Sequence, residues 1–256
     1  MKTVNVRGME IGAGMPKICV SIPCETQKEI LLAGQEALRS GADLIEWRDD
    51  WYEDGLDIDK VKETGGALRK AVGEMPILFT FRTKKEGGER EITPYEYVDL
   101  VTKAAAMGIF DLVDVELSIG DGTAKKITET AHECGVKVIA SSHDFEQTPD
   151  KEELILRLKK MQALDADLLK IAVMPKDNDD VLQLLDVTRE ASLSEVDRPI
   201  IMVSMGEMGS LSRLAGEVFG SALTFATAGK ASAPGQMSVK DVKDVQEMIH
   251  ESIYDL

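Results

Sequence analysis

The stretch Asp167-Leu168-Leu169-Lys170-Ile171-Ala172-Val173 decides how this chain folds. It is a short apolar run with one lysine inside it. The segment before it, residues 152–164, spaces Leu154, Ile155, Leu158 and Met161 by three and four, which is the period of an amphipathic helix. An apolar run between helical segments reads as a buried strand. The same alternation recurs along the chain, with strand candidates at residues 17–22, 43–48, 76–82, 111–116, 136–141, 168–173, 199–203 and 222–226. Strand and helix alternating throughout argue for a parallel sheet. Eight units in about 250 residues are the size of a (β/α)8 TIM barrel. No linker or low-complexity stretch interrupts residues 1–256, so a single barrel domain is expected. Residues 3–11 precede the first unit and read as a β-hairpin around Gly8 that closes the bottom, N-terminal end of the barrel.

Side-chain parity supports a barrel over a doubly wound open sheet. Alternate residues of a strand point to opposite faces. Ile18, Val20 and Ile22 oppose Cys19 and Ser21. Ile45 and Trp47 oppose Leu44, Glu46 and Arg48. Ile77, Phe79 and Phe81 oppose Leu78, Thr80 and Arg82. Val113 and Val115 oppose Asp114 and Glu116, while Leu169, Ile171 and Val173 oppose Leu168, Lys170 and Ala172. One face is uniformly apolar and suits outer helices. The other collects polar groups late in each strand, which is where barrel enzymes keep their chemistry.

Composition removes several function classes. The formal charge is −16, with 43% hydrophobic and 30% charged residues. A nucleic-acid partner would need a basic face. A small anion is still compatible, because a local arginine cluster overrides the global field. No stretch approaches about 18 consecutive apolar residues, so no membrane helix is expected, and residues 1–7 lack an apolar signal core. Cys19, Cys24 and Cys134 are odd in number and show no metal-ligand spacing. They read as thiols of a reducing compartment, and the protein as cytoplasmic.

Lys170 carries the chemistry. A lysine is rarely buried without reason, and an amine stripped of water favours its neutral, nucleophilic form. The usual use of such an amine is an imine with a ketone or aldehyde; the plain alternative is a lysine that snorkels or pairs with a carboxylate. His143 lies one unit earlier, at the end of a strand, and histidine is the usual base near neutral pH. His132 and His250 fall in helical segments and read as solvated. Arg48, Arg82 and Arg213 end strands or begin loops on the same side. They point either to an oxygen-rich anion or to ion pairs with Glu46, Asp49, Asp50, Asp114 and Glu116. Residues 227–236, rich in small side chains, read as a lid over the barrel mouth, with Ser232 and Gln236 as neutral donors. The glycines of residues 204–209 leave a phosphate site open as the barrel alternative. The lysine and arginines make a cation unwelcome beside Glu46, Asp114 and Glu116, so no metal is expected.

Several separated motifs, in order, resemble the type I 3-dehydroquinate dehydratases of the shikimate pathway. They are Met15-Pro16-Lys17-Ile18-Cys19-Val20-Ser21, Glu46-Trp47-Arg48-Asp49, Phe79-Thr80-Phe81-Arg82-Thr83-Lys84-Lys85-Glu86-Gly87-Gly88, Ser142-His143-Asp144-Phe145, Leu169-Lys170-Ile171-Ala172, Met205-Gly206 with Arg213, and Ser232-Ala233-Pro234-Gly235-Gln236. The resemblance implies a (β/α)8 barrel without cofactor, a substrate of 3-dehydroquinate converted to 3-dehydroshikimate and water, and a homodimer, as in many members. It gives Lys170 the imine and His143 the proton transfers, with Glu86 orienting His143; a carboxylate in that place would be expected to favour the charged imidazole. Arg213, Ser232 and Gln236 would hold the substrate carboxylate. Ser21, Glu46, Arg48 and Arg82 would take the ring oxygens. Two rivals stand beside this reading. A class I aldolase would cleave a carbon–carbon bond instead of losing water. A barrel that only binds a polyhydroxy acid would form no trappable imine.

Overall fold

Strands buried on both faces form a sheet that nearly closes on itself. In this computed structural model, which describes residues 3–229 and 231–254, β1 (Val4–Val6) and β2 (Met9–Ile11) form an antiparallel hairpin. The barrel strands are β3 (Lys17–Ile22), β4 (Leu44–Arg48), β5 (Ile77–Thr80), β6 (Leu112–Glu116), β7 (Lys137–Asp144), β8 (Leu168–Val173), β9 (Ile200–Ser204) and β10 (Leu223–Ala226). They pair in parallel in the order β10-β3-β4-β5-β6-β7-β8-β9. The ring nearly closes through a bridge between Ile200 and Ser221, where the Ala222 N–H donates to the Ile200 carbonyl at 2.8 Å. A doubly wound open sheet makes no such closure.

The outer helices begin where capping chemistry dictates. At α1 (Gln27–Ser40), Thr26 and Glu29 form a reciprocal capping box, and at α3 (Pro94–Ala106) Thr93 and Glu96 do the same ahead of Pro94. Asp57, Asp150 and Asp177 cap α2 (Ile58–Val72), α5 (Lys151–Ala163) and α6 (Asn178–Glu190). Between α3 and α5 lies α4 (Asp121–Glu133); α7 (Ser210–Leu214), α8 (Gly216–Phe219) and α9 (Val239–Tyr254) complete the shell. Against these helices pack the outward residues Ile18, Val20, Ile45, Trp47, Ile77, Phe79, Val113, Val115, Leu169 and Ile171. Each such side chain contributes roughly 1.5–3 kcal/mol on burial.

The inward residues Cys19, Leu44, Leu78, Leu112, Ile139, Leu168 and Leu223 form a second cluster with Val4, Val6 and Ile11 of the hairpin. The hairpin therefore plugs the N-terminal end, as its position in the sequence leads one to expect. Arg7 in its turn donates to Asp111 (2.6 Å) and Glu74 (2.6 Å). At the same end, a side chain just before every second barrel strand accepts an N–H of the preceding strand. Asp43 takes that of Ile18 (2.7 Å), Asp111 that of Ile77 (2.9 Å), Asp167 that of Val138 (2.9 Å) and Ser221 that of Met202 (3.1 Å).

Two strand ends differ from the apolar pattern by more than one residue. β7 runs on to Asp144, because Ser142, His143 and Asp144 pair with Ile171, Ala172 and Val173 of β8; His143 lies inside the strand. β5 stops at Thr80, and the Arg82 N–H goes to Asp50 Oδ1 (3.2 Å).

Candidate active site

With the lower barrel filled by apolar side chains, the upper interior is left to polar ones. Register sets Ser21 beside Glu46, and Glu116 beside Ser141 beside Lys170. A cavity at this end encloses about 590 Å³ of empty space, its open mouth included. All ten residues singled out in the sequence line it: Ser21, Glu46, Arg48, Arg82, Glu86, His143, Lys170, Arg213, Ser232 and Gln236. Lys230, within the expected lid, lies outside the described residues.

Lys170 is 5% exposed. Its Nζ stands 3.7 Å from Glu46 Oε1 and 4.0 Å from the centroid of the Phe225 ring. Neither contact is a hydrogen bond, so the amine is held from two sides without being capped. Glu46 is itself fixed by the Ser21 hydroxyl (2.5 Å) and the Thr80 hydroxyl (3.0 Å). Burial alone would push the Glu46 carboxyl up. Lys170, Arg48, the Ser21 hydroxyl and Arg82 outweigh it and hold the group below the usual carboxylate range.

His143 reaches the cavity from β7. Glu86 Oε2 accepts both its backbone N–H (3.0 Å) and Nδ1–H (3.0 Å). That fixes the tautomer and leaves Nε2 as the basic nitrogen. Glu86 sits at the end of a 3-10 turn, Lys84–Glu86. The chain folds back tightly after it. A Cβ at Gly88 would lie 1.9 Å from the Arg82 carbonyl oxygen, so only glycine fits. The charge balance differs from the expectation that Glu86 favours the charged imidazole. Burial, and then the positive charges of Arg82, Lys170 and Arg48, push His143 well below its ordinary value. Burial and the neighbouring Glu116 charge push the Glu86 carboxyl up to about 7. The imidazole is therefore neutral near pH 7, the form a proton acceptor needs.

The three arginines divide between the two readings. Arg48 makes a bidentate pair with Asp50 (2.7 and 2.8 Å). Arg82 pairs with Asp114 (2.8 Å) and Glu116 (2.9 Å) and donates to Ser141 (3.0 Å). Arg213, 1% exposed, meets no carboxylate among the described residues. It donates to the carbonyls of Phe225 (3.4 Å) and Pro234 (2.9 Å), and its Nε has no partner. Burial lowers it to about 10, still charged at neutral pH. A buried guanidinium with donors to spare is a receptor for an anion. Ser232 and Gln236 stand beside it and bond to each other, from Ser232 N–H to Gln236 Oε1 (2.9 Å) and from Gln236 Nε2 to Ser232 Oγ (3.0 Å).

One further expectation needs correction, and one residue of the site carried no expectation. His132 and His250 are not simply solvated: they bond to Asp167 (2.8 Å) and Glu217 (2.8 Å). Phe225, against Lys170, was not singled out; its inward parity with Leu223 was the available signal. Among the described residues, no group of three His, Cys, Asp or Glu is arranged to hold a metal ion.

Residues 18–253 match the family model for type I 3-dehydroquinase. A 3-dehydroquinate dehydratase of Clostridium botulinum is 49% identical over 252 residues, covering 98% of this chain and 99% of that one. A 3-dehydroquinate dehydratase of Escherichia coli is 48% identical over 255 residues, covering 98% of this chain and all of that one. The crystal structure of a type I 3-dehydroquinate dehydratase from Clostridium difficile with covalent modified comenic acid superposes with a TM-score of 0.95 at 47% identity, over 98% of this chain and 99% of that one. A 3-hexulose-6-phosphate synthase shares the fold alone, at 16% identity and a TM-score of 0.58.

Proposed function

This chain belongs to the type I 3-dehydroquinase family, and from that premise we infer that it is a hydro-lyase converting 3-dehydroquinate to 3-dehydroshikimate and water, a step of the shikimate pathway. The observation that carries the chemistry is an uncapped Lys170 amine in the same cavity as a neutral imidazole tied at Nδ1. The Lys170 nitrogen adds to the C3 ketone, and the carbinolamine loses water to give the iminium. His143 Nε2 takes a C2 proton, and the electron pair of that C–H bond moves into the iminium to form an enamine. The enamine expels the C1 hydroxyl, which takes the proton from His143 and leaves as water. Hydrolysis of the conjugated iminium releases the enone and restores the amine.

The remaining roles follow the charges. Arg213, with Ser232 and Gln236, holds the carboxylate; Ser21, Glu46, Arg48 and Arg82 take the ring oxygens; Glu86 orients His143. The same reading carries one domain over residues 1–256 and a homodimer in the cytoplasm. Sedimentation analysis tests the dimer, and cell fractionation the location.

The reaction is tested by borohydride reduction in the presence of 3-dehydroquinate, followed by intact mass and peptide mapping. One adduct on Lys170 is expected, lost in Lys170→Ala, with enone absorbance in the untreated enzyme. An adduct on another lysine removes Lys170 from the mechanism. Carbon–carbon cleavage products favour the aldolase, and neither adduct nor enone leaves a binding protein.

A further inference from the structure

We propose that Glu116, which does not line the cavity, is a positioning residue for the acid–base pair: it anchors the Glu86 turn through Thr83 and occupies the face of Arg82 that would otherwise draw Glu86 away from His143. Glu116 ends β6 and is fully buried. Its Oε1 accepts the Thr83 N–H (2.8 Å) and Arg82 Nη1 (2.9 Å), and its Oε2 accepts the Thr83 hydroxyl (2.6 Å). Thr83 is the residue from which the Lys84–Glu86 turn starts. Its hydroxyl makes no capping bond to that turn, having gone to Glu116 instead. Its carbonyl accepts the N–H groups of Glu86 (3.0 Å) and Gly88 (2.9 Å). The path from Glu116 to Glu86 is thus one residue and a few hydrogen bonds long.

The second action is electrostatic. Arg82 Nη1 is 2.9 Å from Glu116 Oε1 and 3.7 Å from Glu86 Oε2. With Asp114 and Glu116 already on the guanidinium, Glu86 is its most distant carboxylate, and Oε2 stays on His143. Without the Glu116 charge, Arg82 has one partner fewer and Glu86 becomes the nearest candidate. The charged groups facing the pair are Glu116 and Asp114 from β6, Arg82 from the end of β5, Lys170 from β8 and Arg48 from β4. Of these, Glu116 does most to keep a proton on Glu86. Removing a buried negative charge lowers the proton affinity of whatever lies beside it.

The inference rests on the dehydratase reading, and its test separates the two. Glu116→Gln keeps the volume and an acceptor but loses the charge. We expect kcat at pH 7 to fall about tenfold and the acidic limb of the pH–kcat profile to move down by about one unit, with the borohydride-trapped adduct forming as in the wild type. In a Glu86→Gln background the same change should leave the limb where Glu86→Gln alone puts it. A wild-type limb in Glu116→Gln, or equal shifts with and without Glu86, overturns the role. If Glu116→Gln does not fold, Thr83→Val carries the test. It keeps the charge and removes the hydroxyl bond, so kcat should fall about threefold with an unmoved limb; an unchanged kcat overturns the anchor. Absence of any adduct in the wild type strikes the dehydratase reading instead.

Discussion

At the scale of single residues, two buried charges differ in what surrounds them, and their substitutions should differ accordingly. Arg82 is enclosed by carboxylates, whereas Arg213 meets only carbonyls among the described residues. Arg213→Ala should leave the folded protein largely intact yet raise the substrate KM about 10- to 100-fold, the loss of one charge-assisted contact. Steady-state kinetics by enone absorbance checks this, and an unchanged KM removes Arg213 from carboxylate binding. Glu86 makes the opposite case. Its carboxyl is raised from 4.5 to about 7 in the folded protein, so between those values the native state holds a proton that the unfolded chain gives up. Unfolding therefore becomes easier as pH rises through this window. Glu86→Gln carries no charge to desolvate. Its melting temperature should match the wild type near pH 4.5 and exceed it above pH 7, by about 2–4 °C for each kcal/mol relieved, while turnover falls. Thermal scans across pH decide it; a constant difference at all pH values would mean that the carboxyl is not titrating. Lys170 was legible because a lysine interrupts an apolar run, and His143 because it follows one at the end of a strand. The direction of the His143 shift was not: it depends on burial and on Arg82, Lys170 and Arg48 arriving from just past β5, from β8 and from β4, and no local pattern carries that sum.

At the scale of elements, the strands that could be read were short, largely apolar runs buried on both faces. Residues 17–22 and 168–173 coincide with β3 and β8, which are apolar but for Lys17 and Ser21 in the first and Lys170 in the second. The end of β7 was hidden, because Ser142, His143 and Asp144 look like loop and are strand only through pairing with β8. The segment after β10 shows the same dependence on partners. Pro234 accepts from the Gly206 N–H (3.2 Å) and from Arg213, and a Cβ at Gly235 would fall 2.1 Å from the Gly206 carbonyl oxygen at a φ of +75°. Only glycine tolerates both demands. Gly235→Ala should therefore push the Ser232–Gln236 bond away from Arg213. We expect KM to rise about tenfold, while the rate of adduct trapping at saturating substrate stays close to that of the wild type. A KM unchanged within error would mean that this close approach is dispensable for binding.

At the scale of the whole molecule, strand order was legible because neighbours in the ring are neighbours in the chain, and the hairpin plug was legible from its place ahead of the first unit. What alternation could not show is how the ring is subdivided. Asp43, Asp111, Asp167 and Ser221 each reach back across one seam, joining β3 to β4, β5 to β6, β7 to β8 and β9 to β10. The other four seams lack this stitch among the described residues. The molecule is in this respect four tandem modules, and a scission between modules leaves every stitch within one fragment. Two pieces separated at Gly135, between β6 and β7, keep two intact modules each; pieces separated at Gly108, between β5 and β6, divide one. Coexpressed halves parted at Gly135 should complement each other into an active enzyme more readily than those parted at Gly108, a preference read from the yield of reassembled dehydratase activity. Such divisibility is what a barrel would inherit had it grown by doubling a smaller gene.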